Sequence, residues 1–393
     1  DTTLAVGDIV RTIGYYGNWV ATASAPLGGN DYEIVSSSIG TVDGGSFISL
    51  TNGLHAKGLF RDGVNVTQFG AINSKTVDST SAFTAALNYS GLVYVSHGVY
   101  RASINLNTHN SIVGAGSGAR TTNAPSGRTT IYKGPSNAVT IDATSLNKFS
   151  CNVKGINFID DTADTETVGI NFVGSSVSSI NDNHYFEDVV IHGFSTGIKV
   201  RGRAIYNTFD LVVINAGAKG SMLLDSETDN SDVSFNMNTF SNCKFFGSNL
   251  GAIRIVNQNV GNKFINCGIE GNNKSNTAGV PAFYASGSRD LVIDGCYFEA
   301  NGVGVATDTT TLSNNSIDVQ IGEYNSSISG TYNPTIRNCW FYGATISIKI
   351  GNADTTLTTP RTIVRGGVIS NNLFIPGKVS GRAKGWALYA AFT

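Results

Sequence analysis

The sequence predicts an all-β fold, a solenoid in which short parallel strands stack coil upon coil. Helix signals are scarce, and most of the chain shows short alternating strand patterns separated by Gly, Asn and Ser. A recurrent unit, apolar-x-Asn/Gly-Cys/Val-x-apolar, returns after 23 residues between Val189 and Val212 and after 43 between Cys296 and Cys339. Repeats of about 20 to 50 residues are typical of solenoids.

The charge balance excludes one large class of partners. Only 14% of residues are charged, and 26 Lys and Arg face 28 Asp and Glu, for a net charge of -2. A nucleic-acid binder needs a basic surface to displace counterions, so we expect no nucleic-acid partner. The 41% of hydrophobic residues is enough for a sizeable core.

Neither a membrane span nor a metal or cofactor site is visible in the sequence. No window of about 18 apolar residues occurs, so we expect no membrane insertion. The five cysteines form no C-x-x-C pair and the five histidines form no H-E-x-x-H motif, so we expect no metal and no cofactor. The N-terminus lacks a basic and apolar leader, and we expect it to lie inside a longer protein.

The N-terminal part differs in pattern from the rest of the chain. Residues 9–12, 32–35 and 47–50 show strand patterns and are separated by Gly- and Asp-rich turns. We therefore predict a small β-rich head domain over residues 1–62. The solenoid is predicted over 63–375, and 376–393 form a C-terminal segment.

One α-helix is predicted near residues 79–88, where the solenoid begins. Asp78 is a plausible N-cap residue. An apolar stripe follows at helical spacing, formed by Ala82, Phe83, Ala86 and Leu87. We expect this helix to cap the first coil.

The repeat predicts which side chains point inward. Four residues share one repeat position and are predicted to stack in the interior: Cys243, Cys267, Cys296 and Cys339. Asparagines precede three of them at the bend, and we expect these to form a hydrogen-bonded ladder: Asn242, Asn266 and Asn338. Outward apolar positions, which suit a subunit interface, include Val190, Val213 and Ile265.

The start of the solenoid resembles a known family. Residues 66–71 read VTQFGA, residues 78–80 read DST, and residues 91–100 read GLVYVSHGVY. This is similar to the first segment of the pectate-lyase-like right-handed parallel β-helix. Serine replaces the usual family residue at Ser74, Ser79 and Ser96.

The segment that precedes the solenoid narrows the resemblance to one group of β-helix proteins. Residues 7–16, 43–46 and 50–57 look like the head domain that precedes the β-helix in bacteriophage tailspike depolymerases. The resemblance implies a homotrimer on the virion tail that is joined to the rest of the tail through a missing N-terminal part. It also implies host adhesion, with binding and cleavage of capsular or O-antigen polysaccharide outside the bacterial cell.

Aligned repeats place two outward columns of side chains. Three positions after the Cys stand His192, Asn215, Phe246, Glu270, Glu299 and Tyr342. One position after it stand Lys244, Gly268, Tyr297 and Trp340. Aromatic faces stack on sugar rings, so we expect this face to bind substrate through His192, Phe246, Tyr297, Trp340 and Tyr342, together with Lys244 on the same face. The alternative is that this face packs against another subunit.

Glu270 and Glu299 are the predicted catalytic pair. On adjacent coils their backbones lie about 4.8 Å apart, and paired carboxyl groups can act as acid and as nucleophile or base in glycoside hydrolysis. The alternative is two solvated glutamates, one of them paired with Lys244. Asp294 and Glu323 are further catalytic candidates, and Asp210 and Glu187 are reserves.

Three activities remain open from the sequence. Endo-glycosidic hydrolysis is favoured, because no cluster of Arg, Lys and His suited to uronate elimination stands out. A polysaccharide lyase is the second enzymatic alternative. A non-catalytic receptor-binding spike is the third.

Overall fold

Aromatic and aliphatic side chains stack through the main body in one continuous core. Phe186, Phe209, Phe240 and Phe264 lie on successive coils with parallel rings, and their centroids are 4.8, 4.4 and 4.8 Å apart. These distances are close to the separation of hydrogen-bonded strands, about 4.8 Å. The stack therefore runs along the axis of a parallel β-helix, as the sequence predicted.

The architecture comes from a computed structural model. It describes residues 3–16, 28–107, 109–118, 127–142, 148–162, 164, 166–174, 180–215, 224–226, 234–256, 259–275, 280–302, 316–322, 331–344, 346–351, 364–375, 378–379, 382–383 and 386–390.

The N-terminal residues form a small antiparallel sheet, here called the head sheet. Its four strands, in spatial order, are Ile9–Arg11, Asp31–Val35, His55–Gly58 and Phe47–Ser49. Tyr32, Ile34 and Ala56 form its buried centre. The division of the chain at residues 62 and 375 stays a prediction.

Two short helices lead into the first coils. A 3-10 helix spans Val66–Phe69, and an α-helix spans Thr80–Tyr89, where one was predicted. The predicted N-cap is wrong by one residue, because Ser79 occupies that position. Asp78 still contributes, since its Oδ1 accepts a hydrogen bond from the Thr80 N–H at 2.9 Å. The α-helix buries Phe83 and Leu87 against the first coils.

Each complete coil passes through up to four strand positions, here called the first to fourth columns. The first column consists of two four-stranded sheets. Their strands are Lys148–Phe149, Ile180–Asp182, Arg203–Ile205 and Ser234–Asn236, then Asn259–Val260, Ser288–Arg289, Thr331–Tyr332 and Val364–Arg365.

The second and third columns together form a 19-stranded sheet. Two long strands run through both columns, Asn152–Ile159 and Tyr185–His192. The other second-column strands are Val64–Asn65, Leu92–Tyr94, Ser111–Val113, Thr208–Asp210, Thr239–Ser241, Lys263–Ile265, Val292–Asp294, Thr335–Arg337 and Val368–Ser370. The other third-column strands are Gly98–Ala102, Thr129–Lys133, Val213–Asn215, Lys244–Phe246, Gly268–Glu270, Tyr297–Glu299, Trp340–Tyr342 and Leu373–Ile375.

The fourth column is a ten-stranded parallel sheet. Its strands are Ile104–Leu106, Val139–Asp142, Val168–Val173, Thr196–Arg201, Leu224–Ser226, Ile253–Ile255, Pro281–Ser286, Ile317–Gly322, Ile346–Ile350 and Trp386–Ala390. The last strand lies beyond the predicted end of the solenoid at residue 375. A short antiparallel pair, Lys378–Val379 and Arg382–Ala383, precedes it.

The predicted cysteine row lies in the interior. Cys243, Cys267, Cys296 and Cys339 are buried, and each thiol reaches a backbone carbonyl of the preceding coil. Burial raises the thiol pKa of Cys267, whereas contact with the thiol of the preceding coil, followed by burial, raises the thiol pKa of Cys296 and Cys339. These cysteines are structural, as the repeat alignment predicted.

The predicted asparagine ladder is misplaced. Asn242, Asn266 and Asn338 are exposed and take left-handed φ angles of 55°, 53° and 56°, which asparagine tolerates better than most residues. Buried ladders form at other bends. One ladder links Asn207, Asn238 and Asn262 between the first and second columns.

The predicted outward apolar positions differ in exposure. Val190 and Val213 share the register position of Lys244, which is an outward one, but they are only 7% and 8% exposed within the single chain and offer little open surface. Ile265 is partly exposed. Among the described residues, no helix has both the length and the apolar character needed to cross a membrane.

Candidate active site

The third column presents a strip of outward side chains across four successive coils. Its strands are three residues long, with the central residue buried in the core, so the first and third residues point outward. We call this the column-three strip; it consists of Lys244, Phe246, Gly268, Glu270, Tyr297, Glu299, Trp340 and Tyr342. The aligned repeats predicted this grouping.

Glu270 and Glu299 are direct partners in the parallel register of neighbouring strands. Their backbones are therefore separated by one strand spacing, about 4.8 Å. Both side chains are partly exposed. Two carboxyl groups thus occupy adjacent coils on a solvent-accessible surface.

Lys244 binds one member of the pair. Its Nζ lies 2.8 Å from Glu270 Oε2, and both side chains are 28% exposed. The same ammonium group lies 5.4 Å from the centre of the Phe246 ring, in cation–π range. The ion pair with Lys244 that the sequence analysis named as an alternative is therefore present, and Glu270 is the glutamate that forms it.

Tyr297 stands beside the other member. Burial raises the pKa of the Tyr297 hydroxyl to about 12, and the hydrogen bond and negative charge of Glu299 add to the effect. The tyrosine therefore remains a protonated hydrogen-bond donor at neutral pH. Glu299 has a neutral hydroxyl as its neighbour, in contrast to the cation beside Glu270.

Aromatic rings continue the strip beyond the carboxyl pair. The rings of Tyr297 and Trp340, on successive coils, have centroids 6.4 Å apart and are tilted by 59°. Trp340 is 54% exposed and Tyr342 is 45% exposed. Such exposed rings offer apolar faces on which a ligand ring can stack.

Asp294 lies on the same coil as Glu299 but in the second column. Arg337 binds it at 2.8 and 2.9 Å, and Asn338 Nδ2 donates to it at 2.8 Å. The Arg337 hydrogen bond is the main cause that lowers the pKa of Asp294. A carboxylate held in this way is poorly suited to donate a proton, and its place in the catalytic set stays a prediction.

Three of the remaining candidates, His192, Glu187 and Asp210, lie outside the column-three strip. His192 is three coils from Glu270 in the same column, and burial lowers its pKa. Glu187 pairs with Lys154 at 2.9 Å, and Asp210 accepts a hydrogen bond from Ser241 at 2.7 Å. Glu323 lies outside the described residues.

Sequence reasoning missed the amide groups behind the strip. Asn301 Nδ2 donates to the Ile269 carbonyl at 2.9 Å, between Gly268 and Glu270 in the chain. Asn272 donates to Asn301 Oδ1 from both its backbone and its side chain at 3.1 Å. These buried bonds hold the two glutamate-bearing strands in register. The signal available in the sequence was an Asn two residues after each glutamate.

No protein-family model matches the sequence, and no curated protein matches it significantly. Solved structures do match. The enzymatically active domain of bacteriophage CBA120 tailspike protein 2 superposes with a TM-score of 0.66 at 13% identity, over 95% of this chain and 51% of that one. The Acinetobacter phage vB_ApiP_P1 tailspike superposes with a TM-score of 0.62 at 16% sequence identity, over 99% of this chain and 68% of that one. The chain has the parallel β-helix fold of bacteriophage tailspikes.

A bacterial protein shares this tailspike fold. Pantoea stewartii WceF, described as a glycan biofilm modifying enzyme, matches with a TM-score of 0.59 at 13% identity, over 92% of this chain and 49% of that one. The chain thus spans about half the length of CBA120 tailspike protein 2 and of WceF. In the part of the chain that the structure describes, no three His, Cys, Asp or Glu side chains are grouped to hold a metal ion.

Proposed function

We propose that this protein is a phage tailspike that binds and depolymerises bacterial surface polysaccharide, capsule or lipopolysaccharide, by endo-glycosidic hydrolysis. The observation that carries the proposal is the register of Glu270 with Glu299 beside exposed Trp340 and Tyr342. Two carboxyl groups next to stacking surfaces are what glycosidic bond cleavage needs.

In the proposed reaction a glycan chain lies along the column-three strip with its rings against Trp340 and Tyr342. One glutamate donates a proton to the glycosidic oxygen as the bond to the anomeric carbon breaks. The other attacks that carbon or removes a proton from the attacking water. We assign the proton donor to Glu299, because Glu270 is held by the Lys244 ammonium group and suits the anionic role.

Two features favour hydrolysis over elimination. A lyase needs a base that removes the proton next to a uronate carboxylate, together with a cation that neutralises this carboxylate. Within the column-three strip the ammonium group of Lys244 is already paired with Glu270. The raised pKa of Tyr297, about 12, also disfavours a phenolate base.

The tailspike fold supports the proposed setting. The CBA120 structure is described as an enzymatically active domain, and WceF as a glycan-modifying enzyme. By analogy of fold we propose a homotrimer in the virion tail that acts on the outer surface of the host cell.

The test is incubation of the purified protein with capsular polysaccharide and lipopolysaccharide from host strains. Hydrolysis predicts new reducing ends without the ultraviolet absorbance of unsaturated uronate. Reducing ends with that absorbance would identify the lyase instead. Binding without new ends, and no clearing on a host lawn, would identify a non-catalytic receptor-binding spike.

A further inference from the structure

Gly268 leaves a gap in an otherwise filled outward column. The residues that precede and follow it in the register are Lys244 and Tyr297, both with long side chains. Glycine is unfavourable in a strand because it loses much conformational freedom on folding and offers no side chain for packing. The gap therefore calls for an explanation other than strand stability.

The Glu270 carboxylate occupies this gap. A Cβ atom added at Gly268 would lie 2.9 Å from Glu270 Oε1, closer than side-chain carbons normally approach. Glu270 Oε2 meanwhile lies 2.8 Å from Lys244 Nζ. The absence of a side chain at position 268 thus leaves room for Oε1, while the ammonium group holds Oε2.

We propose that Gly268 is a positioning residue that acts through Glu270, by leaving the space in which its carboxylate is held for the reaction. The inference rests on the proposed function of the glutamate pair. Gly268 itself needs no contact with the glycan. Its contribution is the location of a reacting group, which rate depends on steeply.

Substitution by alanine should separate this role from folding. The nearest atoms to the added methyl group belong to the flexible side chains of Glu270 and Lys244 rather than to backbone. The strand can therefore keep its place while the carboxylate swings away. We expect Gly268→Ala to melt within a few degrees of the parent protein.

The experiment is a double-mutant cycle that measures polysaccharide cleavage by reducing ends, with the parent, Gly268→Ala, Glu270→Ala and the double variant. Gly268→Ala alone should lower kcat by about tenfold to a hundredfold, since displacement by about 1 Å costs rates of that order. KM should change less than about twofold, because the stacking rings are untouched. In the Glu270→Ala background, adding Gly268→Ala should lower kcat by less than about twofold.

The outcomes distinguish this inference from the function on which it rests. A parent protein that releases no reducing ends overturns the proposed function and this inference with it. An active parent with unchanged kcat in Gly268→Ala overturns the positioning role alone. Equal losses with and without the Glu270 carboxylate would also overturn it, because the methyl group would then act through the strand.

Discussion

Glu270 and Glu299 are partners in register on neighbouring coils, yet one has a cationic neighbour and the other a neutral one. Lys244 holds Glu270 at 2.8 Å, whereas Glu299 lies beside the protonated hydroxyl of Tyr297. Catalytic carboxyl pairs commonly divide acid and anionic roles through such differences in environment. This difference is the reason for proposing Glu299 as the proton donor and Glu270 as the anionic carboxylate.

Trp340 is predicted to bind glycan without taking part in proton transfer. Trp340→Ala removes a ring that is 54% exposed beside Tyr297, so affinity should fall by about tenfold while bound substrate is still cleaved. Binding can be measured by isothermal titration with an oligosaccharide that the enzyme does not cut. Leu388→Ala is the control, because Leu388 is 47% exposed in the fourth column. Equal affinity in the two variants would contradict a stacking role.

Asp318 is predicted to make stability depend on pH. It is fully buried, Asn301 donates to its Oδ1 at 2.9 Å, and no described residue forms a hydrogen bond with its Oδ2. Burial raises the pKa of Asp318 from 3.8 to about 8, so the folded chain keeps a proton that the unfolded chain loses. The free energy of unfolding should therefore fall as pH rises between these two values and level off above the higher one.

Asp318→Asn tests this dependence, because the amide resembles the protonated acid and does not ionise. The variant should melt several degrees above the parent at pH 8, and the difference should shrink towards pH 4. Asp62→Asn, at an exposed position, is the control. Parallel melting curves of parent and Asp318→Asn across this pH range would refute the prediction.

Leu211 is predicted to carry backbone strain. Its φ is 54°, in the left-handed region, and its side chain is 50% exposed. The corresponding bend residue is Asn242 in the next coil and Asn266 in the one after. Leu211→Asn should therefore raise the free energy of unfolding by about 1 kcal/mol. The shift of the midpoint of urea denaturation measures this gain in stability.

Leu211→Ala separates strain from exposure. It removes the exposed apolar side chain, but alanine lacks the short polar group by which asparagine tolerates the left-handed region, so it should not raise the urea midpoint. A larger gain from Ala than from Asn would show that exposure, and not the backbone, sets the cost at this bend.

The sequence predicted the features that follow from alternation within a strand. The position of Cys243 in the repeat identified buried Phe245 and outward Lys244, and the same offsets aligned Glu270 with Glu299. A strand period of two residues carries this information without any knowledge of loops.

Other features depend on contacts between distant residues and could not be read from the repeat. Asn242 and the ladder residue Asn238 are both asparagines at bends, but Asn242 is exposed with a left-handed φ and Asn238 is buried. The neighbouring coils determine this difference. The ion pair of Asp294 with Arg337 spans two coils separated by a long insertion.

The most direct test of the central claim is polysaccharide turnover by Glu299→Gln and Glu270→Gln, measured as new reducing ends. Glu33→Gln in the head sheet is the control variant. Loss of a carboxyl group that transfers protons or attacks the substrate should lower turnover by at least about a hundredfold, with binding nearly intact. Glu33→Gln should match the parent protein. Full turnover in both strip variants would contradict the account and place the reaction outside the column-three strip.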